Sequence, residues 1–284
     1  MLLIDWKDLP RFDNKYFVAS SAISIGSFDG LHKGHIKLLN FLKKETEEKN
    51  ALKGILTFYL PPRCFFVTKP SPLYAPISSI RLKTEKLKNM GFDFVILVDF
   101  SLDFARMSGE RFVELLKRYL NMSYLLVGED FRFGEGRASS IEDIARLSSK
   151  LSFSFAALPP LTIDEKGQKI SSTIIRQAIY NGNLPYAKEL LGEDFVIDLL
   201  GLVYYIGSEK EVCFKKDDIL QVLPKDGVFH ANISFCNSSL ELDVKAFFDN
   251  FYLKIMFDHE VLFAHKKFNE ANLHFNILKL GIKE

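Results

Sequence analysis

Hydrophobic positions follow two different patterns along the chain. Up to about residue 190, continuous apolar runs such as residues 94–100 alternate with stretches in which apolar residues recur every three or four positions, such as residues 108–120. Continuous runs predict buried strands, and the spaced stretches predict amphipathic helices. Strands that alternate with helices are typical of a parallel, doubly wound α/β sheet, which binds ligands at the carboxyl ends of its strands.

The pattern also predicts the individual elements of this first part. Strands are expected at residues 22–27, 53–58, 94–100, 124–127 and 152–157. Helices are expected after residue 35 and at residues 79–89, 108–120 and 139–149, the last opened by a capping box, SSIE. The proline-rich residues 59–76 are expected to be irregular.

After about residue 194, apolar and polar residues alternate over short runs that end at turn formers. The runs predict strands within residues 196–207, 211–214, 227–235, 240–248 and 251–257, with turns at PKDG and CNSS. They indicate a small antiparallel β-barrel. The sequence therefore predicts two domains, an N-terminal α/β domain at residues 1–190 and a C-terminal β-barrel at residues 191–284.

Composition narrows the functional classes. A net charge of +1 with 26% charged residues gives no basic surface of the kind that binds nucleic acid. Cys64, Cys213 and Cys236 form no CxxC pair, which disfavours zinc or a disulfide framework and fits a reducing compartment. The chain shows no signal-peptide pattern and no run approaching about 18 apolar residues. We therefore expect a cytoplasmic, soluble protein without nucleic-acid or membrane partners.

The most informative motif is SIGSFDGLHKGH, residues 24–35, which joins a predicted strand to a predicted helix. Its turn contains Gly26, Gly30 and Gly34, and His32 and His35 lie three positions apart on the first helical turn. Free N–H groups and the helix dipole make such a helix start an anion site, and two imidazoles add donors. No P-loop pattern occurs in the chain. The alternative interpretation is an ordinary turn with two surface histidines.

A second motif, VGEDFRFGEGR at residues 127–137, follows the strand predicted at residues 124–127. Its charged residues alternate with Phe131 and Phe133, a composition that suits a phosphorylated aromatic ligand. Taken alone, however, the motif is better interpreted as a charged turn.

A third motif, ISSTIIRQAIYNG at residues 170–182, places three hydroxyl side chains ahead of a predicted helix. These residues are Ser171, Ser172 and Thr173, and Arg176 follows on the first turn. They form either a common N-terminal helix cap or a second anion-binding helix start.

Together these motifs resemble the prokaryotic bifunctional riboflavin kinase/FMN adenylyltransferase (FAD synthetase) family. GSFDGLHKGH resembles the family's GxFDGxHxGH form of the HxGH signature, VGEDFRFGEGR resembles VGxDFRFGxGR, and ISSTIIR resembles ISSTxIR. A weaker match, TFYLPPR at residues 57–63, is compatible with a flap over the flavin or with structural packing. The resemblance covers roughly residues 20–195.

The resemblance implies a nucleotidylyltransferase (HxGH, Rossmann-like) domain that transfers AMP from ATP to FMN, giving FAD and pyrophosphate. It assigns catalysis to His32, His35 and Arg176. It assigns ATP and phosphate binding to Gly26, Phe28, Asp29, Gly34, Ser171, Ser172 and Thr173, and flavin or nucleotide binding to Gly128, Asp130, Phe131 and Arg132. Mg²⁺ is expected to bridge the phosphates through ATP oxygens and water, and no protein side chain is assigned to it.

The family's second domain is a riboflavin kinase barrel, and here the match is incomplete. GLVYYIG and LPKDGVF resemble two kinase landmarks, but SEKEVCFKKDDILQV, residues 208–222, stands where the family has GRxLGFPTANI. Lys216 and Asp218 fall near the positions of the Thr and Asn that hold magnesium and phosphates, and the tract from 227 to 268 is shorter than usual and lacks the glutamate-bearing strand. We therefore expect a barrel without kinase activity, serving as packing, as a homo-oligomer contact or as a flavin-holding surface.

Three alternatives remain open. The chain could be bifunctional, with a kinase site in an unfamiliar form. It could transfer a nucleotide to a different phosphate acceptor. It could also be a non-catalytic flavin-nucleotide-binding regulator with the barrel as its interaction surface.

Overall fold

The computed structural model describes residues 1–12, 17–47, 50–66, 71–163, 167–208, 210–236, 239–257 and 275–283. The chain forms two compact units. The first unit comprises Met1–Thr68 and Lys83–Ile170, and the second comprises Lys69–Leu82 and Ser171–Glu284. These units are defined by which residues pack together, whereas the domain boundary at residue 190 was inferred from the sequence pattern. That boundary therefore stays a prediction.

A six-stranded parallel sheet forms the centre of the first unit. Its strands are β1 (Leu2–Asp5), β2 (Ser21–Ile25), β3 (Leu52–Phe58), β4 (Phe94–Val98), β5 (Met122–Gly128) and β6 (Ser154–Leu158). They are hydrogen-bonded in the order β1-β4-β3-β2-β5-β6, and each described pairing is parallel. The predicted doubly wound α/β fold is therefore confirmed. The short strand β1 was not predicted from the sequence.

Five helices accompany this sheet. They are α1 (Lys33–Glu47), α2 (Ile80–Asn89), α3 (Leu102–Ala105), α4 (Gly109–Leu120) and α5 (Ile141–Leu151). The residues that α4 buries recur at helical spacing, because Phe112, Leu116 and Leu120 lie on one face. The predicted capping box at the start of α5 is shifted by one residue, since the backbone N–H of Ser140 donates to Asp143 Oδ2 over 2.8 Å.

The strand order reverses beside β2. From β2 the chain proceeds to β3 and β4 on one side, whereas β5 and β6 lie on the other side. In open α/β sheets, the crevice at such a reversal, outside the carboxyl ends of the strands, is the usual ligand site. The loops that follow β2 and β5 carry the first and second motifs, so both motifs lie where this fold binds ligands.

The second unit contains two helices and a seven-stranded antiparallel sheet. Its elements are α6 (Ser172–Tyr180), α7 (Leu184–Leu191), β7 (Phe195–Asp198), β8 (Tyr204–Ser208), β9 (Glu211–Lys215), β10 (Gly227–Phe235), β11 (Glu241–Phe248), β12 (Tyr252–Phe257) and β13 (Phe275–Lys283). The order is β7-β13-β10-β11-β12-β9-β8. This arrangement confirms the predicted antiparallel β-domain.

The sequence pattern misses some details of this second sheet. The apolar stretch at residues 196–207 contains two strands, because the chain turns between β7 and β8 at Gly201, whose φ is 78°. Strand β13 was not predicted. Two predictions, the CNSS turn and the shortened tract that ends at residue 268, fall partly outside the described residues, at 237–238 and 258–268.

Residues 71–82, which we call the strap, precede most of α2 in sequence but pack within the second unit. The carboxylate of Asp198, at the end of β7, accepts hydrogen bonds from two strap side chains. Ser79 Oγ donates to Asp198 Oδ2 over 2.5 Å, and Arg81 Nη2 donates to Asp198 Oδ1 over 2.6 Å. The strap is thus joined to β7 by charge-assisted hydrogen bonds.

Gln221 forms a second connection to the strap. Its side-chain amide donates to the carbonyl oxygens of Ile77 and Val196, each over 2.8 Å. The neighbouring Val222 N–H donates to Pro76 O, also over 2.8 Å. Because Gln221 is 4% exposed, these bonds are shielded from water and fix the backbone of the strap.

Candidate active site

Residues 26–32, which we call the histidine loop, connect β2 to α1 with an unusual backbone. Phe28, Gly30 and Leu31 have φ angles of 45°, 80° and 43°. The side chains of Phe28 and Leu31 are each 1% exposed, so packing stabilises a conformation that non-glycine residues rarely adopt. Gly26 begins the loop, and its N–H donates to Leu56 O over 3.1 Å. Packing and this hydrogen bond therefore stabilise the shape of the loop.

His32 and His35 form a stacked pair at the start of α1. Their ring centroids are 3.6 Å apart with an interplanar angle of 16°, and Phe28 packs edge-on against His35 at 5.2 Å. The backbone N–H of His35 donates to His32 Nδ1 over 3.4 Å. Because Nδ1 of His32 accepts this bond, its proton lies on Nε2 in the neutral ring. The structure thus brings together the two histidines identified in the sequence.

Both imidazoles have lowered pKa values. Burial lowers the pKa of His32 to about 4, and the charge of Lys86 contributes in the same direction. Burial, followed by His32, Lys83 and Lys86, holds the pKa of His35 well below its ordinary value. Both rings are neutral at pH 7, and a bound phosphate dianion would favour their protonation.

Two lysines of α2 add positive charge beside the histidine loop, and the sequence analysis did not identify them. Lys83 is 3% exposed and donates to Ser27 O over 3.1 Å and to Phe58 O over 3.0 Å. Lys86 Nζ donates to Leu31 O over 3.4 Å. The sequence did contain one indication that Lys83 is buried. It lies four residues before the buried Leu87, so the two residues share one face of the helix.

Asp29 lies inside the histidine loop rather than at its surface. Its side chain is 2% exposed, and its carboxylate forms an ion pair with Arg63 at 3.5 Å. Thr57 Oγ1 also donates to Ser27 O over 2.9 Å. The weakly matching segment at residues 57–63 therefore contacts the histidine loop at both of its ends, a relation that its sequence alone did not reveal.

Gly34 allows the His32 ring to lie against α1. A Cβ atom at this position would be 3.2 Å from His32 Nδ1 and 3.3 Å from His32 Cε1, which is tighter than ordinary contact. We expect Gly34→Ala to rotate the imidazole, at a cost of about 0.5–1.5 kcal/mol, and so to weaken by up to about tenfold the ATP binding that the family resemblance implies.

Calorimetric titration with ATP measures this effect, with Lys37→Ala on the exposed side of α1 as the control. Alanine favours the helix over glycine by about 1 kcal/mol, so the melting temperature of Gly34→Ala should be maintained while its affinity falls. Unchanged affinity would show that the position of the His32 ring does not matter for binding.

The second motif forms a loop with aromatic residues inside and charged residues outside. Phe131 and Phe133 stack with centroids 5.4 Å apart, and Phe133 is 7% exposed. Gly128 ends β5 and accepts the Phe131 N–H over 3.0 Å. Asp130 and Arg132 are exposed and available to a ligand.

The third motif lies in the second unit, at the start of α6. Ser171 caps the helix, its Oγ accepting the Ile174 N–H over 3.4 Å, as the simpler interpretation of this motif predicted. Thr173 is exposed and Ser172 is partly exposed at the first turn. Arg176 is 1% exposed, and its Nε donates to Leu73 O over 3.1 Å. Arg176 is therefore a buried cation whose hydrogen bond to Leu73 lies within the second unit.

Within the described part of the chain, no three His, Cys, Asp or Glu side chains are grouped so that they could hold a metal ion. None of the helices described there has the length and hydropathy needed to cross a membrane.

Comparison with known proteins identifies relatives of this chain. A family model described as FAD synthetase matches residues 15–174. A bifunctional riboflavin kinase/FMN adenylyltransferase of Escherichia coli (strain K12) is 35% identical over 176 residues, which are 62% of this chain and 55% of that protein. A protein of the same description from Buchnera aphidicola subsp. Acyrthosiphon pisum (strain APS) is 32% identical over 234 residues, 80% of this chain and 72% of the relative. In the E. coli match the chain spans about half of the relative's length.

One solved structure is similar over the whole chain. It is described as a macrolide-efflux protein from Streptococcus pneumoniae and has a TM-score of 0.75, covering 100% of this chain and 91% of its own. At 24% sequence identity, this similarity shows the fold alone.

Proposed function

Since the chain belongs to the FAD synthetase family, we propose that it transfers the adenylyl group of ATP to FMN, giving FAD and pyrophosphate. The observation that carries the proposal is the stacked pair of neutral imidazoles, His32 and His35, at the start of α1. N–H donors at a helix N-terminus, with Lys83 and Lys86 nearby, suit a polyphosphate.

In the proposed reaction, an oxygen of the FMN phosphate attacks the α-phosphorus of ATP. A new P–O bond forms there, the bond from the α-phosphorus to the bridging oxygen of the β-phosphate breaks, and pyrophosphate leaves with the electron pair. The FMN phosphate is largely dianionic at neutral pH, because its second pKa is about 6. The nucleophile therefore needs no protein base, and catalysis depends on alignment and on stabilising charge.

We assign the donors of the stacked histidine pair to the phosphates whose charge changes most in the reaction. His32 Nε2–H and an N–H of His35 are proposed to donate to the transferring and leaving phosphates. Gly26, Asp29 and Gly34 shape the loop, with Asp29 acting from inside through Arg63, and Phe28 supports His35.

The remaining site residues keep the roles that the family resemblance implies. Ser172, Thr173 and Arg176 are proposed to bind the β- and γ-phosphates, with Ser171 as the cap that orders the helix start. Gly128, Asp130, Phe131 and Arg132 are proposed to bind the flavin or the nucleotide. In support, the exposed charges of Asp130 and Arg132 follow β5, which is next to β2 in the sheet.

A resident protein site for Mg²⁺ does not fit the residues of the histidine loop. Its carboxylate, Asp29, is buried and paired with Arg63, so it is not available to a cation. We therefore write the nucleotide substrate as its magnesium complex and derive no step from a metal held by the protein.

Loss of kinase activity is a separate proposal about the second unit. Lys216, near the position of a metal-binding threonine in the family, donates to Asp249 O over 2.7 Å and pairs with Asp226 at 3.6 Å. Residues 216–218 form a short helical turn after β9 rather than a phosphate-binding strand. These contacts support a structural role for this segment.

Chromatography of the products tests both proposals. The full chain is incubated with magnesium and ATP, in parallel with FMN and with riboflavin. We expect FAD from FMN and no product from riboflavin. Product from riboflavin would show a kinase site of unfamiliar form. FMN binding without turnover would favour a non-catalytic flavin-nucleotide-binding regulator. No binding of either flavin would indicate that the chain transfers a nucleotide to a different phosphate acceptor.

A further inference from the structure

Lys83 is a buried lysine whose hydrogen bonds join two strand ends. Its Nζ lies 3.1 Å from Ser27 O, which follows β2, and 3.0 Å from Phe58 O, which ends β3. It lies 3.3 Å from Thr57 Oγ1, which in turn donates to Ser27 O. An ammonium group has three N–H bonds, and these three acceptors can use all of them.

These bonds act on the part of the histidine loop that supports His35. Ser27 immediately precedes Phe28, whose φ of 45° requires the backbone to be held in place. The Phe28 ring packs against His35, and its burial leaves it little freedom to move alone. A displacement of the Ser27 carbonyl would therefore move Phe28 and, with it, the imidazole of His35.

We propose that Lys83 is a positioning residue for adenylyl transfer, whose ammonium group fixes the Ser27 carbonyl against the end of β3 and thereby keeps Phe28 and His35 in the arrangement that receives a phosphate. This inference rests on the proposed function for its activity measurement. In this proposal Lys83 does not contact the substrate. It acts on catalysis only by holding the histidine loop in position.

The charge on Lys83 depends on the groups that face it. Burial disfavours the ammonium form and lowers the pKa of Lys83 to about 8, although the charge of Asp29, from the loop, acts in the opposite direction. Among the other charged or titratable groups there, Arg63 pairs with Asp29, and His35 and Lys86 face the same region. Cys64 has a raised pKa and so ionises above its ordinary value of 9.

Deprotonation of Lys83 would remove one N–H and leave one of the three acceptors without a donor. The hydrogen bonds that position the loop should therefore weaken as the pH rises through about 8. The folded-state pKa lies below the ordinary value of 10.5, so the unfolded chain holds this proton more tightly. Between these two values the unfolded chain binds more protons than the folded chain, so titration of Lys83 should raise the stability of the fold while the activity falls.

The test is the pH dependence of kcat/KM for FAD formation between pH 6 and about 10. In the native chain we expect a loss of activity above about pH 8, without a decrease in melting temperature from the titration of Lys83. Lys83→Arg, which keeps its charge beyond pH 12, should retain activity and lack this loss. Lys83→Met should lower kcat by about 10- to 100-fold with a small change in KM, because misplacement of a catalytic group affects the chemical step. Lys88→Met, at an exposed position of α2, is the matched control.

A second readout does not depend on activity. The His35 Cε1–H resonance, followed by NMR against pH, should titrate at higher pH in Lys83→Met than in Lys88→Met, since a nearby positive charge has been removed. The same alkaline loss in Lys83→Arg, or an unshifted His35 titration, would overturn the inference. An inactive native chain whose His35 titration does shift would instead refute adenylyl transfer and support the positioning geometry.

Discussion

Replacing His35 by alanine should lower the rate of FAD formation by about 10²-fold or more. In the proposed reaction, the substitution removes an N–H donor from the place where charge develops on the transferred and leaving phosphates. It also removes the ring on which His32 stacks at 3.6 Å, so the second imidazole loses its support. Both losses act on the transition state, and kcat should fall more than the affinity for ATP.

Steady-state product chromatography measures this effect. Lys37→Ala, on the exposed side of the same helix, should have normal rates. Circular dichroism of both variants shows whether the helix content is retained. Near-normal turnover in folded His35→Ala would remove His35 from the proposed phosphate-binding group.

Replacing Asp198 by alanine should lower the stability of the second unit by about 2–3 kcal/mol. Removing one partner of a buried ion pair costs about 3–5 kcal/mol, and the partial exposure here, 24% for Arg81 and 12% for Asp198, reduces that value. Ser79 Oγ and the Leu200 N–H also lose their acceptor. The strap should therefore detach locally before the rest of the unit unfolds.

Two measurements check this expectation. Urea denaturation gives the change in stability, and amide hydrogen exchange should increase in residues 76–82 and 196–222. Asp217→Ala, at an exposed position, is the control and should behave like the native chain. Normal exchange in the strap of Asp198→Ala would show that Gln221 suffices to hold it.

The fold was predictable where buried apolar residues recur at regular spacing within a single strand or helix. The alternating runs of the first unit and the short runs of the second reflect how each strand or helix buries one face, a property visible within ten residues of sequence. The strap was not predictable in this way, because its attachment depends on single polar pairs such as Ser79 and Asp198, which lie 119 positions apart.

The candidate site shows the same division. His32, Gly34 and His35 were identified because they lie within four residues of one another, at the end of a strand-to-helix turn and in the first turn of the helix. Lys83 and Arg63 were missed because they reach the histidine loop from segments tens of residues away, through contacts with Ser27 and Asp29. Asp29 was expected among the phosphate-binding residues, and that role stays a prediction; in the structure its carboxylate is buried and paired with Arg63.

The strap also has a consequence for how the chain folds during synthesis. Ser79 leaves the ribosome 119 residues before Asp198 does. At about 5–20 residues per second, this interval is roughly 6–24 s. During that time β4, β5 and β6 emerge and can pair, while the hydrogen bonds of Ser79 and Arg81 to Asp198 cannot yet form. A nascent chain of this protein thus carries Ser79 and Arg81 without their carboxylate partner while 119 of its 284 residues are made, and chaperones have an opportunity to bind the strap during that interval.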